Sequence, residues 1–146
     1  WVLPTLLPEN IVSMGEGEGV MRIPQQASLT GDPFRPALHG GVISALADTV
    51  GGLAVFTCID IGRATSTVDL RVDYLRPGRV DADLYAKARV LRVGNRVAAT
   101  HTVVYHDDPD APVATAAAVY NVVQLNDVSS KERIALRDGD SEGPHS

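Results

Sequence analysis

Residues 42–56, VISALADTVGGLAVF, are almost wholly apolar yet carry one carboxylate, and no other stretch so narrows what this chain can fold into. The segment is too short to span a bilayer and reads as a buried helix over about 41–58. A helix apolar on most of its circumference needs cover on most of its surface, which a curved sheet can supply. The chain that follows has the period of such a sheet. In 66–74, Val68, Leu70, Val72 and Tyr74 face one way and Thr67, Asp69, Arg71 and Asp73 the other, the pattern of a half-buried strand.

Three more strands are expected over 80–93, 96–106 and 112–123. They are joined by turns at Gly94-Asn95 and Asp107–Asp110, and 75–79 reads as a turn after the first long strand. Ahead of the helix, 1–10 reads as a short turn or helix, 11–23 as a weak strand pair around the turn at 15–19, and 30–38 as a loop. The expectation is one α+β domain over 1–125, a long central apolar helix wrapped by a curved antiparallel sheet, with 126–146 as a polar, flexible tail.

The chain is 45% hydrophobic but only 5% aromatic, so its core should be built from small and branched side chains. A net charge of −5 argues against nucleic-acid or anionic-membrane partners. The single Cys58 excludes an internal disulfide and cysteine-based metal clusters, and fits a reducing cytoplasm. Trp1 is not an initiator Met, so the natural start is expected upstream.

The chemistry concentrates in His39-Gly40-Gly41 and Asp48. Two glycines at a helix start leave the first-turn N–H groups uncrowded, a donor site for an oxyanion. A carboxylate inside an apolar helix is costly unless it is paired or used, so Asp48 is expected to be a desolvated acid. Small neighbours on the same helical face (Ser44, Ala45, Gly51 and Gly52) leave room for another molecule or chain, and the small residues Ala45, Ala47, Gly51 and Gly52 would admit a bulky chain or ring. Gly41 and Asp48 are seven residues apart, about 10 Å along a helix, too far to serve one carbonyl together. Two antiparallel helices about a two-fold axis remove that difficulty, so the spacing argues for a dimer with shared sites. His39 is read as steering a substrate carbonyl or fixing its loop, His101 as a core or interface residue, and His106 as solvated. No histidine pair has ligand spacing, so no metal is expected. Ser66 or Thr67 could position a water near Asp48. Arg92 and Arg96, framing Gly94-Asn95, suit a phosphate-bearing ligand.

The runs LHGGVISALAD (38–48) and TVDLRVDYLRP (67–77) resemble the hotdog-fold acyl-CoA thioesterases, in the branch typified by the phenylacetic-acid-degradation protein PaaI. The similarity runs over about 10–123. It implies a dimer with a continuous sheet, often paired into a homotetramer, and coenzyme A as part of the substrate rather than a cofactor. Asp48 would then be the general base or nucleophile. The Gly41 N–H would polarise the thioester carbonyl with help from Gly40 or His39, and Thr67 or Ser66 would hold the water or the acid. Tyr74 and the turn Arg92, Val93, Gly94, Asn95, Arg96 and Val97 would cradle the coenzyme A moiety. The loop 35–38 departs from the family in lacking an Asn-x-x-Gly. The rival readings are a non-catalytic acyl-CoA or small-ligand binder on the same scaffold, and an enoyl-CoA hydratase or dehydratase.

Overall fold

The computed structural model describes residues 6, 8–25, 40–60 and 62–124. His39, the loop 30–38 and the tail 126–146 lie outside them. A 3-10 turn (Pro8–Asn10) leads into β1 (Ile11–Gly15) and β2 (Glu18–Ile23). The helix α1 (Gly40–Phe56) follows, then β3 (Arg63–Tyr74), β4 (Leu84–Val93), β5 (Val97–Tyr105) and β6 (Ala114–Gln124). The β1–β2 loop is the residue pair Glu16-Gly17, both at positive φ (52° and 80°), as a right-twisted two-residue hairpin requires.

The six strands form one antiparallel sheet in the order β1-β2-β4-β5-β6-β3. The expected turn at 75–79 is therefore not a hairpin. Strand β3 pairs with β6 while β4 pairs with β2 and β5, so the chain must cross the end of the sheet between them. That crossing is why β4 starts at Leu84 rather than at 80. The N–H groups of Leu75 and Arg76 both reach the Val113 carbonyl, and His106 holds the far side of the crossing. His106 is half-buried with both ring nitrogens engaged, rather than free in solvent. Its Nε2 accepts the Arg79 N–H at 2.9 Å, which leaves Nδ1 to donate to the Asp83 carbonyl, also at 2.9 Å.

The helix buries a stripe (Val42, Ile43, Leu46, Ala47, Val50, Gly51, Ala54 and Val55) against the sheet. Alanines at 86, 88, 98, 114, 116 and 118 meet it, and these short side chains let the helix lie close. Burial alternates cleanly along β5 and β6, with Ala98, Thr100, Thr102 and Val104 inward. His101 therefore sits half-buried on the outer face, not in the core.

Strand β3 is an edge, and its alternation breaks. Its register against β6 shifts between Thr67 and Asp69, so Val68 is the extra residue of a bulge and is 57% exposed. Thr67 pairs with Tyr120 and Leu70 with Ala118, both inward-facing partners. The bulge thus turns Thr67 onto the helix side, opposite to the face that strict alternation assigns it. Ser66 pairs with the exposed Asn121 and stays on the outer side.

Candidate functional site

The helix runs antiparallel along β3, and three contacts fix its register there. Gly40 lies over Tyr74, Asp48 over Thr67, and Gly52 over Thr65. The Thr67 hydroxyl donates to Asp48 Oδ1 at 2.8 Å. The Tyr120 hydroxyl, rising from the sheet, donates to the main-chain carbonyl of the same Asp48, also at 2.8 Å. Burial, and then the nearby Asp48 charge, raise the Tyr120 pKa well above the ordinary tyrosine value of 10.0.

Asp48 is half-buried within the protomer rather than desolvated. The sheet buries the opposite stripe of the helix, whereas the flank carrying Ser44, Ala45, Asp48, Thr49 and Gly52 meets edge strand β3 along one side, is half-buried, and at Thr49 is exposed. Phe56, at the end of the same helix, is 58% exposed. The small residues divide accordingly. Ala47 and Gly51 face the core, and only Ala45 and Gly52 lie on the open flank. A Cβ on Gly51 would stand 2.2 Å from the Tyr120 hydroxyl, so this glycine makes room for a core side chain, not for a ligand.

Gly40 and Gly41 open the helix, where first-turn N–H groups point along the axis. Tyr74 braces this end. Its hydroxyl donates to the Gly40 carbonyl at 3.0 Å and lies 2.5 Å from Ser44 Oγ. A Cβ on Gly40 would come within 3.4 Å of that hydroxyl.

The turn at 92–97 lies elsewhere. The Gly94 N–H closes it onto the Val97 carbonyl at 2.8 Å, and the guanidinium of Arg63 donates to the Asn95 carbonyl. Open hollows of about 640 and 620 Å³ flank it, one lined by Arg92, Arg96 and Val97, the other by Arg63, Arg96 and Asn121. Arg63 and Tyr74 are the two ends of β3, roughly 36 Å apart at the rise of an extended strand. Within one protomer, then, Tyr74 joins the helix start and not the 92–97 turn.

The structure therefore brings together Asp48 with Thr67, and Gly40 with Tyr74, on one flank of one helix. Ser66 is on the other side of the sheet and His39 is outside the described residues. Sequence reasoning does not reach Tyr120 or Arg63, and it reads Gly51 as space for another molecule rather than for Tyr120. The available signal was a lone large aromatic in the alanine-rich run ATAAAVYNVV, facing a helix that carries a glycine pair. Among the described residues, no group of three His, Cys, Asp or Glu side chains could hold a metal, and no helix is long and apolar enough to cross a membrane.

The chain is 40% identical over 98 residues to a Halobacterium salinarum protein named as an esterase, covering 65% of this chain and 64% of that one. The match thus spans slightly less than two thirds of that relative. It is 34% identical over 110 residues to the medium/long-chain acyl-CoA thioesterase YigI of Escherichia coli, covering 66% and 70% of the two chains. Among solved structures it resembles a thioesterase from Haemophilus influenzae, with a TM-score of 0.70, 26% identity and coverage of 79% and 78%. It also resembles the phenylacetic acid degradation protein PaaI from Thermus thermophilus, with a TM-score of 0.66, 25% identity and coverage of 76% and 90%. The sequence pattern of the thioesterase superfamily matches residues 36–113. One helix wrapped by a single antiparallel sheet is the hotdog architecture, and the chain belongs to the thioesterase superfamily.

Proposed function

We propose that this protein is an acyl-CoA thioesterase, hydrolysing a coenzyme A thioester to a free acid and the thiol. The observation that carries the reading is the Asp48 carboxylate, held by Thr67 on the same open helix flank as the glycine-rich helix start. Thr67 takes Oδ1, and Oδ2 is the oxygen left to meet a water. In the general-base course Asp48 removes a proton from that water as its oxygen adds to the thioester carbonyl. First-turn N–H groups at Gly41 receive the developing oxyanion, helped by Gly40 or His39. The tetrahedral intermediate collapses, the C–S bond breaks, and the departing thiolate takes the proton from Asp48. In the nucleophilic course Asp48 itself adds to the carbonyl, expels the thiolate, and is regenerated when water cleaves the mixed anhydride. Label in the carboxylate of Asp48 after single-turnover hydrolysis in ¹⁸O-water identifies the second course, because only water attack on the aspartyl carbonyl of the anhydride puts it there.

One helix cannot bring both groups to one carbonyl, since Gly41 and Asp48 are two turns apart. The site is therefore shared in a homodimer. Edge strand β3, twelve residues long, is the surface that joins the sheets. Antiparallel pairing of two β3 strands centred near Leu70 and Arg71 sets each Thr67, with Asp48 above it, beside the partner's Tyr74. It thereby brings the partner's helix start to Asp48 and covers the open flank. The same pairing draws the 92–97 turn and Tyr74 of different protomers toward one another, which is how both could contact one coenzyme A.

The relatives named for medium and long acyl chains and for phenylacetic acid degradation set the substrates to try. Thiol release from straight-chain and aromatic CoA thioesters by the purified protein tests the reading. Turnover of at least one supports it. Saturable binding with no release would replace it with a binding protein, and hydration of crotonyl-CoA with a hydratase. An Arg71→Cys variant that oxidises to a dimer crosslinked through position 71 supports the shared site; a crosslink-free dimer opposes this pairing.

A further inference from the structure

We infer that Tyr120 is a positioning residue for Asp48, and that Gly51 exists to let it reach. The inference rests on the reading of Asp48 as the reacting carboxylate. Tyr120 and Thr67 are direct cross-strand partners in the β3–β6 ladder. One rung of the sheet therefore grips Asp48 at two points, with Thr67 on the carboxylate and Tyr120 on the main-chain carbonyl, each at 2.8 Å. Two anchors on one residue fix both the height of the helix above the sheet and the direction of the side chain.

The surroundings show that this arrangement is costly to make. Tyr120 is 2% exposed and heads the fully buried side chains by size, in a core whose other apolar side chains are alanine, valine, leucine, isoleucine and methionine. Its hydroxyl occupies the place where the side chain of residue 51 would be, and a Cβ there would also stand 3.0 Å from Thr100 Oγ1. A glycine inside a helix weakens it relative to alanine. A mid-helix carbonyl, moreover, already receives the N–H four residues on, so it does not need a second donor. Phenylalanine would fill the same hydrocarbon space without a hydroxyl to satisfy. The tyrosine and the glycine make sense together as a device that holds one turn of the helix, and that turn carries Asp48.

The test combines Tyr120→Phe, Gly51→Ala, the double variant and a distant core control, Leu84→Ala, with steady-state kinetics and thermal melts on each. Misplacing a reacting group by an ångström costs up to about 100-fold. Tyr120→Phe should therefore lose roughly ten- to 100-fold in kcat with KM changed less than about twofold. Leu84→Ala should lower Tm at least as much while keeping kcat. Gly51→Ala should lose both Tm and kcat. Adding Tyr120→Phe to it should recover much of the lost Tm, because the nearest ring atom is then Cζ at 3.1 Å instead of the hydroxyl at 2.2 Å. A Tyr120→Phe enzyme with wild-type kcat overturns the inference, as does a double variant no more stable than Gly51→Ala. A wild type that releases no thiol from any substrate overturns the functional reading, and this inference falls with it. A working wild type beside an unaffected Tyr120→Phe overturns the inference alone.

Discussion

Replacing Thr67 by valine removes one hydroxyl and almost nothing else, which makes it a sharp probe of the carboxylate. Valine keeps the branched shape and the strand preference of threonine, so β3 and its bulge should persist. What is lost is a 2.8 Å donor to Asp48 Oδ1. Hydrogen bonds to charged groups contribute about 1.5–3 kcal/mol. Both residues are partly open to solvent in the protomer, so water can replace part of that bond and the lower end applies. At about 1.4 kcal/mol per factor of ten, kcat should fall roughly tenfold. Stability should change by less than about 1 kcal/mol, because the carboxylate retains access to water. Thr67→Ser should retain most of the activity, since its hydroxyl can make the same bond. Ser66→Ala should stay within about twofold of wild type, because Ser66 pairs with Asn121 on the outer side. The assay is thiol release across a substrate titration, with kcat and KM separated. A Thr67→Val enzyme at full kcat, or a Ser66→Ala enzyme that loses tenfold while folded, would refute the reasoning.

Other outcomes follow from the same structure. His106→Ala removes the acceptor of the exposed Arg79 N–H and the donor to the part-buried Asp83 carbonyl, so chemical denaturation should show a loss of about 0.5–1.5 kcal/mol with kcat nearly unchanged. Gly17→Ala forces a Cβ into φ +80° and within 3.3 Å of Cys58 Sγ, so it should cost about 1–2 kcal/mol in the same measurement. The Tyr120 hydroxyl titrates above its ordinary value of 10.0 in the folded protein, so its contribution is complete below pH 10 and is lost as pH rises toward the folded value. Melting curves should therefore fall more steeply above about pH 10 for wild type than for Tyr120→Phe.

The sequence carried the fold well where burial followed a simple period. The apolar run at 42–56 became α1, and the strands expected over 96–106 and 112–123 became β5 and β6, whose inward residues pack on it. It carried less where one residue breaks the period. Strict alternation puts Thr67 away from the helix, and only the bulge at Val68, invisible as a pattern, turns it inward. Strand order was not legible either, because the turn residues at 75–79 suit a crossing as well as a hairpin. The site shows the same division. Asp48 and the two glycines stood out by their chemistry. The expected desolvation did not follow, because an apolar helix can be covered on one stripe by its own sheet and left open on the other. The glycine at 51 looked like space for a ligand because composition reports a missing side chain and not what fills its place. Its occupant, Tyr120, lies 69 residues further along the chain and meets it only in three dimensions.

The central claim is that Asp48 reacts. Its most direct test is the kcat of Asp48→Asn on the best thioester, measured beside wild type with melting temperature and oligomeric state matched. Asparagine keeps the size and an acceptor for Thr67 but can neither take a proton from water nor attack a carbonyl. The account predicts a loss of at least about 100-fold, the lower bound for removing a positioned acid–base group. A folded Asp48→Asn protein within about threefold of wild type would contradict it.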